Sequence, residues 1–327
     1  MEFEKLHHLK SRYPLVKIVL DRYSCDLSES VKDDDRTEEL KKELMKLYTE
    51  NFNVTYSEWQ KRNLSNCAAP VSTKVTLTHT IQKFLKKFIS EVDTLASHIH
   101  RIREQFRAAK MSKEEAKVED VIATIQLDWR AFYFEQHVAL QIGYVWLKDG
   151  SFSFGCLSDD TNHMAEAAWA GIQPLLNHLV DEKEISIINI ISDSPISQYR
   201  NKTMFYLIKK FAAKQKIKIK WIYFEAGHGK GVADSIGATL KRKMDEAINY
   251  NPDDSFSSVS DLIDAIEDRT DIKLYLYGKS DVEKVKLPKL STIKGTVTLH
   301  EVVATSDGKF YGKDLSSDKE SLLAVKF

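Results

Sequence analysis

At 327 residues the chain has room for two domains, and its 43% hydrophobic residues suffice for a real core. Lys+Arg and Asp+Glu both total 48, so the formal net charge is zero and no global basicity marks a nucleic-acid partner; only local charge can carry that argument. Cys25, Cys67 and Cys156 lie far apart without zinc spacing, the amino terminus (MEFEKLHHLKSRYPL) lacks the features of a signal peptide, and no apolar run nears the roughly 18 residues of a membrane helix. The expectation is a soluble protein of the nucleus or cytoplasm, with reduced thiols and no membrane contact.

Residues 1–118 read as a charged, mainly helical region. Glu38–Asn51 (EELKKELMKLYTEN) forms a short amphipathic helix, Thr55–Ser65 a second candidate, and Pro70 a break. A longer helix is expected from about Leu77 to Lys110, because Ile81, Phe84, Phe88, Val92, Leu95, Ile99 and Ile102 recur at steps of three or four. Its interleaved His98, His100, Arg101, Arg103 and Arg107 form either a solvated face or a phosphate-contacting one. Met111–Asp120 (MSKEEAKVED) reads as a polar hinge, which sets a domain boundary there.

The next domain, 119–250, alternates between the two periodicities. Val121–Leu127 is a nearly continuous apolar and β-branched run, as in a strand covered on both faces. Glu135–Leu147 and Ser151–Leu157 are strands joined by Lys148-Asp149-Gly150, a tight-turn sequence. Thr161–Val180 is a helix, Ile185–Ile191 a buried strand, Tyr199–Gln215 a helix, Ile217–Phe224 a strand and Gly231–Asn249 a last helix. Asn251-Pro252-Asp253-Asp254 then breaks the chain, and 251–327 reads as a small α+β unit with a helix, a strand (IKLYLYG) and a hairpin around Ser306-Asp307-Gly308.

This βββαβαβα order is that of a ribonuclease H-like mixed sheet in the α/β class. Asp128 closes the first strand, Asp193 the fourth, and Asp234 opens the final helix after HGKG. Parallel neighbouring strands present their carboxyl ends at one sheet edge, so a right-handed crossover would make Asp128 and Asp193 neighbours. Three converging carboxylates repel unless cations sit among them, and hard oxygen donors select Mg²⁺ or Mn²⁺. Two ions held by Asp128, Asp193 and Asp234 would serve phosphodiester displacement. Taken singly, an aspartate after a strand is more often a turn former or cap; the signal is the combination.

The glycines Gly227, Gly229 and Gly231 form a loop whose amides could approach a phosphate, and His228 is a proton shuttle, a phosphate contact or a polar loop residue. The spacing is not that of a P-loop. Between Arg200 and Lys220 the bases Arg200, Lys202, Lys209, Lys210, Lys214, Lys216, Lys218 and Lys220 occur without an acid. With Lys230, Lys241, Arg242 and Lys243 they make a one-sided run that fits a phosphate footprint or, more blandly, a solvated helix face. Trp129, Tyr199 and Tyr223 near the proposed edge are better read as core than as base-stacking residues.

At these residues the chain resembles transposase-derived proteins of invertebrate genomes that carry a ribonuclease H-like DDE/D catalytic core. The likeness rests on Ser192-Asp193-Ser194-Pro195-Ile196-Ser197-Gln198-Tyr199-Arg200-Asn201, on Trp221–Lys241 (WIYFEAGHGKGVADSIGATLK), more loosely on Leu127-Asp128-Trp129, and on Lys294-Gly295-Thr296 followed by His300. It covers about residues 75–305. Two departures stand out: Ser194 replaces a glycine, and the cysteine-rich segment that often follows is not present. The resemblance implies Mg²⁺-dependent DNA strand cleavage and strand transfer. Asp128, Asp193 and Asp234 would be metal ligands, and Arg200, Lys202, His228, Lys230, Lys241 and Arg242 the nucleic-acid contacts. DNA and a second copy of the chain are the partners this reading allows. Two rivals remain: a catalytically silent DNA-binding or interaction module, and a hydrolytic nuclease on hybrids or branched DNA that recruits Glu166 as a fourth acid.

Overall fold

The computed structural model describes residues 34–63, 69–133, 137–225, 231–250, 256 and 258–322. The chain divides into two compact units, 1–101 and 102–327. The first contains α1 (Asp34–Lys46), a short turn at Leu47–Thr49, strands β1 (Asn53–Arg62) and β2 (Val71–Thr80), and the opening turns of α2 (Ile81–Val118). Its core is Tyr56 together with the α2 stripe Ile81, Phe84, Leu85, Phe88, Val92 and Leu95, at the expected helical spacing.

The helical expectation for Thr55–Ser65 is corrected by β1, which pairs antiparallel with β2 from Asn53↔Thr80 to Arg62↔Val71. The physical reason lies in the partner segment. VSTKVTLTHT is dense in β-branched residues, which favour a pleated surface, and Thr55–Thr78 (2.9 Å) and Ser57–Thr76 (3.2 Å) bond across the pair. Glu58 is buried in β1; burial alone would raise its pKa, but contacts from Lys87 and Gln60 hold the carboxyl below its ordinary value. The polar hinge expected at Met111–Asp120 is likewise corrected, since α2 runs through to Val118. Lys, Glu, Ala and Met are strong helix formers, and their polarity marks an exposed helix end rather than a linker.

The second unit is built on a nine-stranded mixed sheet of order β11-β10-β9-β7-β6-β3-β4-β5-β8. Strands β3 (Ile122–Tyr133), β4 (His137–Trp146) and β5 (Phe152–Ser158) form an antiparallel meander. The chain then crosses through α3 (Ala165–Asn177) to β6 (Ile187–Ser192), parallel to β3, and through α4 (Lys202–Gln215) to β7 (Lys218–Tyr223), parallel to β6. Helices α3 and α4 cover one face, where Trp169, Leu176, Phe205 and Phe211 pack on Leu127, Ile190 and Trp221. On the other face α5 (Val232–Tyr250) and α6 (Val259–Ile266) pack Ile236, Leu240 and Leu262 on Leu140 and Ile142.

Residues 251–327 do not form the separate unit expected of them. Strand β8 (Lys273–Leu276) joins β5 in parallel, and β9 (Glu301–Ala304) joins β7 antiparallel, continued by β10 (Phe310–Lys313) and β11 (Ser321–Leu322). A five-residue helix, α7 (Lys279–Glu283), lies between β8 and β9. Short strands of this kind show the periodicity of a hairpin, but nothing local states which sheet edge they extend. Among the described residues no helix is long and apolar enough to cross a membrane.

Candidate functional site

The parallel strands β3, β6 and β7 end at a common edge. Asp128 does not close its strand as expected: β3 continues to Tyr133, with Asp128 opposite Ile142 of β4. What ends there is the pairing with β6, whose last partners are Gln126 and Ile191. Continuing that register by two residues sets Asp128 level with Asp193. Cross-strand partners share a face, and Ile142 packs with Ala233 and Ile236 of α5, so Asp128 belongs to the α5 face. Ile191, two residues before Asp193, packs with Ile222, Phe224 and Ala109 of α2 on that same face.

Asp234 stands in the first turn of α5. The chain entering that helix passes close to β3, because a Cβ on Gly231 would come within 2.2 Å of Gln126 Nε2. Gln126 is itself held by Lys113, whose Nζ donates to Oε1 at 2.7 Å. The three acids thus share an edge and a face, but the side chains are not gathered into one cluster. Among the described residues no group of three His, Cys, Asp or Glu is positioned to hold a metal ion. Each carboxylate accepts a local amide: Asp128 from Trp129 (2.8 Å), Asp193 from Ser194 (2.8 Å) and Asp234 from Gly231 (2.9 Å). Carboxylate chemistry and register fit a hard divalent cation; the side-chain placement is that of turns and a helix cap.

Around Asp193 the edge is polar and buried. Arg200 is only 8% exposed, and its Nη1 reaches Leu299 O at 3.4 Å. Burial pushes its guanidinium below the ordinary value, opposed by Tyr223, Glu225 and Asp193. Glu225 lies 3.4 Å from His300 Nε2, and His300 Nδ1 bonds Asp314 O at 2.7 Å. Gln105 of α2 donates to the carbonyls of Tyr223 (3.3 Å) and His300 (2.7 Å), tying β7 to the strand leading into β9. Three buried polar atoms here, Ser194 Oγ, Arg200 Nε and His300 Nε2, have no hydrogen-bond partner among the described residues. Tyr199 and Tyr223 are core residues, as expected, with Tyr223 OH bonded to Tyr199 O at 3.1 Å. Burial drives the Tyr199 phenol well above its ordinary value, with Gln141 opposing and the Asp128 charge adding.

The basic residues are not one footprint. Arg200, expected on a phosphate, is interior, and Lys202 donates to Leu290 O at 3.1 Å. Lys241 and Arg242 are exposed on α5, Arg242 within 3.8 Å of Glu246. Lys214, Lys216 and Lys218 sit where α4 returns to the start of β7, the sheet edge opposite the aspartates. His228 and Lys230, with Gly227 and Gly229, lie outside the described residues. His98, placed on the polar side of its helix, is fully buried. Glu225, Gln126, Lys113 and Gln105 were not anticipated. Glu225 could have been, for it ends an apolar strand (WIYFE) as Asp193 does.

Fold and edge together define a mixed α/β protein with a large mixed sheet and an acidic, partly buried polar margin. Residues 119–316 match a family described as a domain of unknown function (DUF8701), and the chain belongs to that family. No curated protein and no solved structure matches it.

Proposed function

We propose that the second unit is a ribonuclease H-like core that cuts and joins DNA strands with the help of Mg²⁺ or Mn²⁺, in the manner of a transposase. The observation that carries this reading is the strand order β5-β4-β3-β6-β7, an antiparallel meander followed by two parallel strands reached through helices. Its register sets Asp128 level with Asp193 under the face that α5 covers, with Asp234 in the first turn of that helix. Bound between these carboxylates, two cations would activate the attacking oxygen and stabilise the leaving one. The residues themselves supply oxygen donors and a glycine entry into α5 that lets backbone pass beside β3. Arg200 Nε and Ser194 Oγ, buried and without a hydrogen-bond partner among the described residues, are donors that a ligand at this edge could engage. Lys241 and Arg242, exposed on α5, are the described basic residues best placed to follow a strand away from that edge.

A second reading is a binding module without catalysis. It is favoured by the local amide that each of the three carboxylates accepts and by the lack of a three-acid cluster among the described residues. The hybrid- or junction-cutting nuclease, with Glu166 in the first turn of α3, is a third outcome of the same assay. The full chain is incubated with duplex ends, hybrids and junctions in Mg²⁺, Mn²⁺ or chelator. Cation-dependent cleavage of duplex DNA, cut at least about 100-fold by Asp128→Asn or Asp193→Asn, is the expected result. DNA binding with no cleavage of any substrate would establish the binding module instead.

A further inference from the structure

On the sheet face opposite the aspartates lies a cavity of about 510 Å³, within the range of small-molecule sites. Its walls come from three segments. Helix α4 contributes Leu207, Lys210, Phe211 and Lys214, spaced by three and four along one stripe. Helix α3 contributes Trp169 and the Ala170–Pro174 turn, and the segment from the end of β8 through α7 closes the third side with Leu276, Asp281, Lys284 and Lys286.

Three properties of these walls define a ligand. Four exposed lysines meet one carboxylate, Asp281, which is already engaged by Lys284 at 2.9 Å. Lys214 and Lys286 have no acidic partner among the described residues, so the cavity mouth has excess positive charge that a compact polyanion would balance. The apolar lining is narrow: Leu276 is 50% exposed, and beside it Trp169 and Phe211, which meet edge to face at 5.6 Å, show only 4% and 6% of their surface. Finally, Pro174 stands inside α3 and has no N–H, so the helical bond to the Ala170 carbonyl is not made; both residues line the cavity.

We propose that this cavity binds a nucleotide, with its phosphates among Lys210, Lys214, Lys284 and Lys286 and its base against Leu276 and the exposed edges of Trp169 and Phe211. A nucleic-acid strand is the lesser fit, because strands follow open grooves and this site is walled on three sides. The inference goes beyond the function proposed above and does not depend on it, since the aspartates lie on the other face.

The test is calorimetric titration of the full chain with ATP in chelator, which silences any cation site. The expected result is saturable binding below about 1 mM, weakened about tenfold by Lys214→Glu/Lys286→Glu and unchanged in Asp193→Asn. Should the double variant fail to fold, the single variants Lys214→Gln and Lys286→Gln are each expected to weaken binding about threefold. Failure to saturate by about 5 mM, or binding indifferent to these lysines, would overturn the proposal. So would tripolyphosphate binding as tightly as ATP, or a DNA oligonucleotide being the ligand the lysine variants lose.

Discussion

Arg200 shows how position in a motif and position in space can disagree. In the sequence it opens a basic run that reads as a phosphate contact; in the fold it is sealed beside Asp193 and Glu225. A buried cation near two acids holds a local balance that truncation would upset. Arg200→Ala is therefore expected to destabilise the second unit by about 3 kcal/mol, read as a lower urea midpoint with an unchanged slope. A shift under about 1 kcal/mol would mean that the guanidinium is effectively solvated. Strand-end acids were legible because an apolar run stopping at Asp or Glu is a local pattern, although that pattern marks Glu225 as well as Asp193. Whether such side chains converge is set by rotamers and neighbouring turns, which no spacing encodes. Asp234 bonding Gly231 is the clearest instance.

Among the elements, the meander depends on a close approach that its residues barely permit. Gly143 of β4 faces Leu127 of β3, and a Cβ there would come within 2.3 Å of the Gln126 carbonyl and 2.6 Å of the Phe154 ring. Backbone on one side and a buried ring on the other leave no room to yield. Gly143→Ala should cost about 3 kcal/mol or more, visible as a Tm lowered by several degrees; a Tm within a degree of the parent would show that β3 and β4 can separate locally. Strands of this core were legible as apolar runs, and α4 as a helix with Asn201 capping it through Met204 N at 3.0 Å. The β1–β2 pair was not, because TYSEWQKRN taken alone has helical charge spacing and its strand character comes from the Val and Thr residues opposite.

Across the whole second unit, the unexpected feature is where the carboxy-terminal strands go. The five central strands have raw margins at β5 and β7; β8 covers one and β9 the other. Val302, Val303 and Ala304 are buried there, as is Phe310, whose ring lies tilted against Phe205 at 5.3 Å. A chain ending at Tyr250 would expose both margins together with the apolar residues they cover. Such a chain is expected to aggregate on expression, measured as loss from the clarified supernatant, whereas a monodisperse 1–250 protein would show the margins to be self-sufficient. A composition shift after Tyr250 makes this segment look detachable, and only long-range pairing reveals that it is not.

Synthesis order gives this arrangement a temporal side. As the polypeptide leaves the ribosome, the meander and both crossovers emerge before either flanking strand exists, so the half-made sheet carries two adhesive borders until residues 273–304 have been made. Slow codons or a premature stop between residues 250 and 304 would then prolong a sticky intermediate, and early capture by a chaperone would matter for this protein.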